Sequence, residues 1–276
     1  MISFAKYHGC GNSFVILAEE EAGRRDFSDL ARAMCREATG IGADGLIIVR
    51  TSPQLEMIFY NRDGSRAPMC GNGIRCFARF CRDEGICTDD AFDVKTLAGT
   101  MRVQVCSSDP FTVEIGMGRP DFDPRRCGIE DSEPFLHRRL RLADGSEREV
   151  STFFMGTVHT VLWVDDFVSL DVEALGRELC RHPAFPEQTN VNMARRIDAH
   201  TVELKTYERG AGLTLACGTG ACATVVWGHR EGLLEDACDV LLPCGRLHIT
   251  VQNDENVVMR GPAAAVARGT YLEEGQ

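Results

Sequence analysis

Hydrophobic and polar positions along the chain switch between a period of two and a period of 3.6, and the switches mark out its elements. Phe4 to His8 and Ser13 to Leu17 read as strands on either side of the turn Gly9-Cys10-Gly11-Asn12. Phe27, Leu30, Ala31 and Met34 fall at helical spacing, which predicts a helix from Phe27 to Ala38. Asp26 or Ser28 can cap its start, and Gly40-Ile41-Gly42 ends it. Gly45 to Arg50 and Leu55 to Tyr60 are short β-rich runs joined by a Ser-Pro turn, and Asn61-Arg62-Asp63-Gly64 is a second turn signal. Met69 begins a helical segment that runs to about Asp83. Strands return at Phe92 to Thr96, Met101 to Cys106 and Thr112 to Ile115. Arg119 to Glu133, with Pro120, Pro124 and Pro134 around it, reads as a crossover. Beyond it come strands near Arg138 to Leu142 and Val161 to Val164, then a helix from about Asp171 to Arg181. Strands follow at Val191 to Arg195 and Val202 to Tyr207, then a helix from Gly218 to about Glu231. Val240 to Leu242, Arg246 to Val251, Val257 to Met259 and Ala263 to Tyr271 complete the set.

The second set of elements repeats the first. Met69 to Phe80 reads MCGNGIRCFARF, and Ala216 to Trp227 reads ACGTGACATVVW, with Cys70 and Cys217 lying 147 residues apart. Upstream, Tyr60-Asn61-Arg62 matches Tyr207-Glu208-Arg209, and the same offset carries Asn12 onto His159. An internal duplication predicts two similar halves, each presenting one cysteine at the start of a helix.

That placement has chemical consequences. A helix start offers unpaired N–H groups and a partial positive charge, and glycine lets a ligand come close to them. Two such starts in a pseudo-twofold arrangement form an anion site that suits a carboxylate. The same field is expected to lower the thiol pKa towards neutrality. Two thiols on opposite faces of one carbon are what racemisation needs: one thiolate removes the proton and the opposite thiol delivers another. The pair is expected to share a single proton, because two neighbouring thiolates repel. Other readings stay open. A single Cys-Gly-x-Gly is often only a turn. A phosphate site would use the glycines but has no need of a cysteine twice. A cysteine hydrolase could pair one thiol with His159, leaving the second idle. A binding protein that has lost catalysis would be expected to lose one cysteine, and both are present.

Composition narrows the classes further. A chain of 276 residues with 44% hydrophobic content favours two domains with sizeable cores. The net charge of −11 disfavours nucleic acid and anionic membrane as partners, since both select a basic face. No apolar run approaches the roughly 20 residues that span a bilayer, and the first residues, MISFAKYHGCGNSFV, lack the pattern of a secretory signal. A soluble, cytoplasmic protein is expected. Thirteen cysteines contain no Cys-x-x-Cys, so neither a zinc ribbon nor a thioredoxin-type pair is suggested. Most of them, including Cys35, Cys81 and Cys180, read as small buried hydrophobes.

The motifs FAKYHGCGNSFVIL, GIGADGLI, FYNRDGSRAPMCGNGIRCFARF, TLAG, MGTVHTV, TNVN and YERGAGLTLACGTGACA, in that order, span nearly the whole chain. Together they resemble the diaminopimelate epimerases, cofactor-independent enzymes that interconvert LL- and meso-2,6-diaminopimelate on the lysine and cell-wall pathway. The resemblance implies an α+β fold of two pseudo-symmetric domains, each a curled, mostly antiparallel sheet around a central helix, with the active site in a cleft between them. One domain comprises residues 1–118 with 263–276, where the last strand returns, and the other 119–262. By position, the resemblance implies that Cys70 and Cys217 are the acid/base pair. It has Gly71, Asn72, Gly218 and Thr219 hold the carboxylate at the reacting centre. Asn12, Asn61, Asn190 and Arg209 bind the substrate, Arg209 gripping the distal carboxylate. His159 and Glu208 lie beside the cysteines, tune their proton affinity, and in the case of Glu208 also line the substrate. Thr157 stands where the family usually has asparagine, at the non-reacting end of the substrate, and Asn12-Ser13 replaces the usual Asn-Asp. A related racemase acting on another amino acid therefore stays open. The resemblance implies no metal, no pyridoxal phosphate and no other cofactor. A small amino acid is the expected partner, and a homodimer is allowed.

Overall fold

A computed structural model describes residues 1–273 and divides the chain into two units, Met1–Ile115 with Gly261–Gln276, and Gly116–Arg260. The domain limits expected at residues 118 and 262 can be compared with these; residues 274–276 of the expected return segment lie outside the described residues. Each unit builds its own sheet around its own Cys-Gly helix.

In the first unit, Ile2–Gly9 pairs antiparallel with Asn12–Ala18 on one side and with Ala264–Tyr271 on the other. Asn12–Ala18 then pairs in parallel with Gly45–Arg50, which pairs antiparallel with Glu56–Asn61. Glu56–Asn61 meets Ala91–Thr96 in parallel, and Gly99–Ser108 and Phe111–Gly118 continue the sheet antiparallel. A parallel pair needs a crossover connection, and each of the two here contains a helix. Phe27–Met34 lies on one face, where Leu30, Ala31 and Met34 join Val15, Leu17, Leu46 and Ile48 in a core. Gly71–Asp83 lies on the other, with Gly73 against Phe14 and Ile47. Because both faces are covered, Gly45–Arg50 is buried on every residue but its last and reads as an unbroken apolar run. The helix Gly71–Asp83 is itself wrapped: Ile74, Cys76, Phe77, Ala78, Phe80 and Cys81 are all buried.

The second unit repeats this order. Glu147–Met155 pairs antiparallel with Arg138–Arg141 and with Thr157–Trp163. Thr157–Trp163 is parallel to Asn190–Asp198, across the helix Val172–Cys180, and Asn190–Asp198 is antiparallel to Thr201–Glu208. Thr201–Glu208 is parallel to Ala237–Leu242 across the helix Gly218–Arg230, and Gly245–Val251 and Val257–Pro262 complete the sheet. Val191 and Met193 face the outer core with Leu175 and Leu179. The alternation of a strand therefore turns Asn190 and Asn192 to the other face, and Asn192 meets Gly220 of the Cys-Gly helix there.

Apart from short elements such as the helix Glu19–Ala22, the structure departs from the elements read in the sequence at one helix end and one strand. The helix expected to reach Ala38 stops at Met34, whose carbonyl accepts from Ile41 N–H at 2.7 Å and Gly42 N–H at 3.2 Å. Asp26 caps it through Asp29 N–H, while Ser28 donates instead to the Gly64 carbonyl at 2.6 Å. The strand Glu147–Met155 was not anticipated. Its buried stretch includes Ser151 and Thr152, which lie on opposite faces and break the apolar signal, and Thr152 is satisfied by the Thr160 hydroxyl at 2.7 Å. No helix among the described residues is long and apolar enough to cross a membrane.

This packing makes a stability prediction. Ile48 is 0% exposed between the two helical layers, so Ile48→Ala should cost about 2–5 kcal/mol, read as a lower urea midpoint. Val266→Ala, at a position 53% exposed, should change stability by less than about 0.5 kcal/mol.

Candidate functional site

Cys70 is the N-cap of the helix Gly71–Asp83, with extended backbone at φ −136° and ψ 121°. Its sulfur accepts the Gly73 N–H at 3.4 Å and lies 3.8 Å from Asn12 Oδ1. A chain of forced orientations fixes this end of the helix. Arg75, 0% exposed, can only donate, so Asn72 must turn its carbonyl to Arg75 Nη2 at 2.9 Å. The Asn72 amide then donates to Asn12 Oδ1 at 3.2 Å, and Asn12 donates to the Asp44 carboxylate at 2.9 Å. Arg75 also donates to the Gly71 and Pro262 carbonyls at 3.0 and 3.1 Å. Asn61 ends its strand and donates to Ser65 Oγ at 2.9 Å inside the turn Asn61-Arg62-Asp63-Gly64.

Cys217 caps the helix Gly218–Arg230 in the same backbone region, at φ −123° and ψ 108°. It is 5% exposed, and its sulfur is 3.6 Å from the Thr219 hydroxyl. The expected lowering of thiol pKa does not hold for Cys217. Burial pushes its pKa well above the ordinary value, and the neighbouring Glu208 carboxylate adds to the rise. The helix-end field is outweighed by loss of water and by a like charge. Glu208 in turn accepts the Thr214 hydroxyl at 2.6 Å.

Arg209, Asn190, Thr157 and His159 are brought together in this unit. The Arg209 N–H donates to Asn190 Oδ1 at 2.8 Å, its Nη1 to the Glu187 carbonyl at 2.7 Å, and its Nη2 reaches Thr157 Oγ1 at 3.5 Å. His159 stands opposite Asn190 in the parallel register and is 0% exposed. Burial, and then the Arg209 charge, hold its pKa down at about 3. It is therefore neutral near pH 7, and its Nδ1 is engaged by the Asn192 amide at 3.0 Å, both of which count against the cysteine-hydrolase reading in which it would be the base. Among the described residues, no group of three His, Cys, Asp or Glu is placed to hold a metal ion.

Residues 4–122 and 152–266 match the family model described as diaminopimelate epimerase. The chain belongs to the diaminopimelate epimerase family. A diaminopimelate epimerase of Desulfitobacterium hafniense is 40% identical, with 99% of each chain covered. One from Halothermothrix orenii is 39% identical over the same shares. Among solved structures, a hydroxyproline epimerase from Agrobacterium vitis superposes with a TM-score of 0.68 at 13% identity, over 99% of this chain and 93% of that one. A Bacillus anthracis phenazine biosynthesis protein of the PhzF family gives 0.69 at 12% identity, with 99% of each covered. These last two establish the α+β fold that the family has in common with them. The match of the diaminopimelate epimerase model skips residues 123–151, where the proline-rich crossover lies.

Four residues that position the site were not singled out from the sequence. Asp44 lies in GIGADGLI and Asn192 in TNVN, both within motifs already noted, yet neither differs in composition from a turn or a strand end. Arg75 carried a clearer signal, a cation set among the residues that form the buried part of its helix. Gly220 is required because a Cβ there would lie 2.3 Å from Asn192 Oδ1.

Gly220→Ala should thus displace the Asn192 amide and reduce turnover by about 100-fold while far-UV circular dichroism stays unchanged. His159 supplies a pH test of the same half. Its folded pKa of about 3 lies below the ordinary 6.5, so the unfolded chain takes up the proton first. Its contribution to stability is complete above pH 6.5 and is lost as pH falls towards 3. In His159→Gln, unfolding free energy measured between those limits should fall less steeply with acid than in the parent.

Proposed function

We propose that this chain interconverts LL- and meso-2,6-diaminopimelate by direct proton exchange with Cys70 and Cys217. The observation that carries the reading is the pair of N-cap cysteines at repeat-equivalent helix starts, in a member of the diaminopimelate epimerase family. One sulfur, as thiolate, takes the α-proton; the electron pair left on carbon is delocalised into the adjacent carboxylate. The opposite thiol then delivers its own proton to the other face. The net result is an inverted centre and exchanged protonation of the two sulfurs, which is the arrangement from which the reverse reaction starts.

The environment of each sulfur supports a division of labour. Burial and the Glu208 carboxylate raise the pKa of Cys217, which favours its thiol form before substrate arrives. Cys70 is then the base for the first transfer, with the Gly73 N–H directed at its sulfur. The backbone at Gly71-Asn72 and Gly218-Thr219 binds the carboxylate at the reacting carbon, where its N–H groups stabilise the charge that develops. Arg209, anchored by the Glu187 carbonyl, takes the distal carboxylate. Asn190 gives its carbonyl to the Arg209 N–H and keeps its amide hydrogens for the substrate. Thr157, within 3.5 Å of Arg209 Nη2, serves that same distal end. The exchange needs no pyridoxal phosphate or metal, because the thiols handle the proton themselves. Kinship with bacterial diaminopimelate epimerases supports a cytoplasmic location, where both substrate and product are small molecules.

The reading is tested by incubating the protein in deuterated water with LL-diaminopimelate and, separately, with a panel of other amino acids. Deuterium should enter one α-carbon of diaminopimelate, and Cys70→Ser and Cys217→Ser should each lose this by about 10²–10⁴-fold. Exchange confined to another amino acid would reassign the substrate. Full exchange in either variant would remove the two-thiol mechanism.

A further inference from the structure

Asn192 sits at the centre of a buried polar chain beneath the second Cys-Gly helix. It is 0% exposed, and its amide nitrogen donates to the Thr160 carbonyl at 3.2 Å. A backbone carbonyl can only accept, so the nitrogen end of the Asn192 amide must point that way. The other end agrees, since Asn192 Oδ1 accepts the Thr206 hydroxyl at 3.1 Å. The second hydrogen on the same amide nitrogen is directed at His159 Nδ1, 3.0 Å away. Nδ1 must then carry a lone pair and no proton. Burial keeps the imidazole neutral, so its single proton lies on Nε2. That Nε2 is completely buried and has no hydrogen-bond partner in the structure. A buried N–H left without an acceptor is costly and calls for an explanation, and an acceptor supplied by a ligand is one.

We propose that Asn192 is a positioning residue that locks His159 as the Nε2–H tautomer, reserving that N–H as a hydrogen-bond donor for an anionic acceptor. In this arrangement His159 is not a base. It offers a fixed donor to negative charge, whether on a sulfur or on a substrate carboxylate, and its own protonation state does not change in the cycle. The location fits: the position a Cβ would occupy on Gly220 lies 2.3 Å from Asn192 Oδ1 and 3.3 Å from Cys217 Cβ, so the amide is under the first turn that begins at Cys217. The catalytic value of the donor rests on the function proposed above. The tautomer does not, because it is a property of the ligand-free chain.

The test is long-range proton–nitrogen correlation NMR on the full chain labelled at histidine nitrogens, at pH 7 and without substrate. The His159 signals are identified by their disappearance in His159→Gln. Protonated Nε2 with bare Nδ1 is the expected pattern. Proton on Nδ1, or on both nitrogens, overturns the proposal whatever the enzyme's activity. Asn192→Asp supplies the second arm, because a carboxylate accepts and cannot donate. It should draw the proton to Nδ1, lower kcat by about 100-fold with KM little changed, and raise the pKa of the imidazole into the measured range of the pH–rate profile. A switched tautomer with kcat within twofold of the parent would show that the donor is not used. If Asn192→Asp does not fold, the spectrum of the parent decides the tautomer alone.

Discussion

Each Cys-Gly helix begins inside its own sheet, where Gly71, Asn72 and Gly73 of the first and Gly218 and Gly220 of the second are buried, as are Arg75, His159 and Asn192 beside them. Every polar atom there must find a protein partner or wait for a ligand, and the rest of the architecture follows from that. In the first unit the requirement is met by a relay from Arg75 through Asn72 and Asn12 to Asp44, each orientation forced by the one before. In the second it is met by Asn192, with the Thr160 carbonyl, the Thr206 hydroxyl and His159 around it. Remove one partner and a donor or acceptor is stranded in a low-dielectric interior, which costs more than the bond itself contributed.

The two halves use one plan with different chemistry. Asn12 and His159 stand at the same repeat position, and each is held by a residue of the neighbouring parallel-strand region: Asp44 just before Gly45–Arg50, and Asn192 within Asn190–Asp198. The charges differ. A fully buried guanidinium lies in the helix that starts at Cys70, whereas Cys217 faces the Glu208 carboxylate. A two-thiol proton exchange has to begin with one sulfur protonated and the other not, and an uneven distribution of nearby charge is a physical means of setting that starting state. The repeat gives the halves one plan, and the different supporting residues make their charges uneven.

Much of this was legible in the residues. Gly71–Asp83 and Gly218–Arg230 stand out because glycine, cysteine and an apolar helical run recur at a fixed offset, and that offset alone locates both N-caps. The same offset maps Ile2–Gly9 onto the region of Glu147–Met155, so the missed strand was within reach of the repeat even though its local pattern is spoiled by Ser151 and Thr152. What could not be read were the partners of buried polar side chains. Nothing in TNVN distinguishes Asn190, which takes the Arg209 N–H, from Asn192, which holds His159, because the two differ only in their neighbours across the sheet. The direction of the Cys217 shift was missed for the same reason. A helix start argues for a thiolate, and only the three-dimensional burial beside Glu208 reverses it.

The central claim is that two sulfurs act as independent bases from opposite faces of one carbon. The measurement that addresses it most directly uses a substrate analogue bearing a halogen on the carbon next to the reacting centre, prepared in both configurations. Elimination of hydrogen halide needs only the base on the side where the α-hydrogen lies. Cys70→Ser should eliminate from one configuration and not from the other, and Cys217→Ser should show the opposite preference. If both variants lose elimination equally for both configurations, the cysteines are not separate bases, and the two-thiol mechanism is wrong.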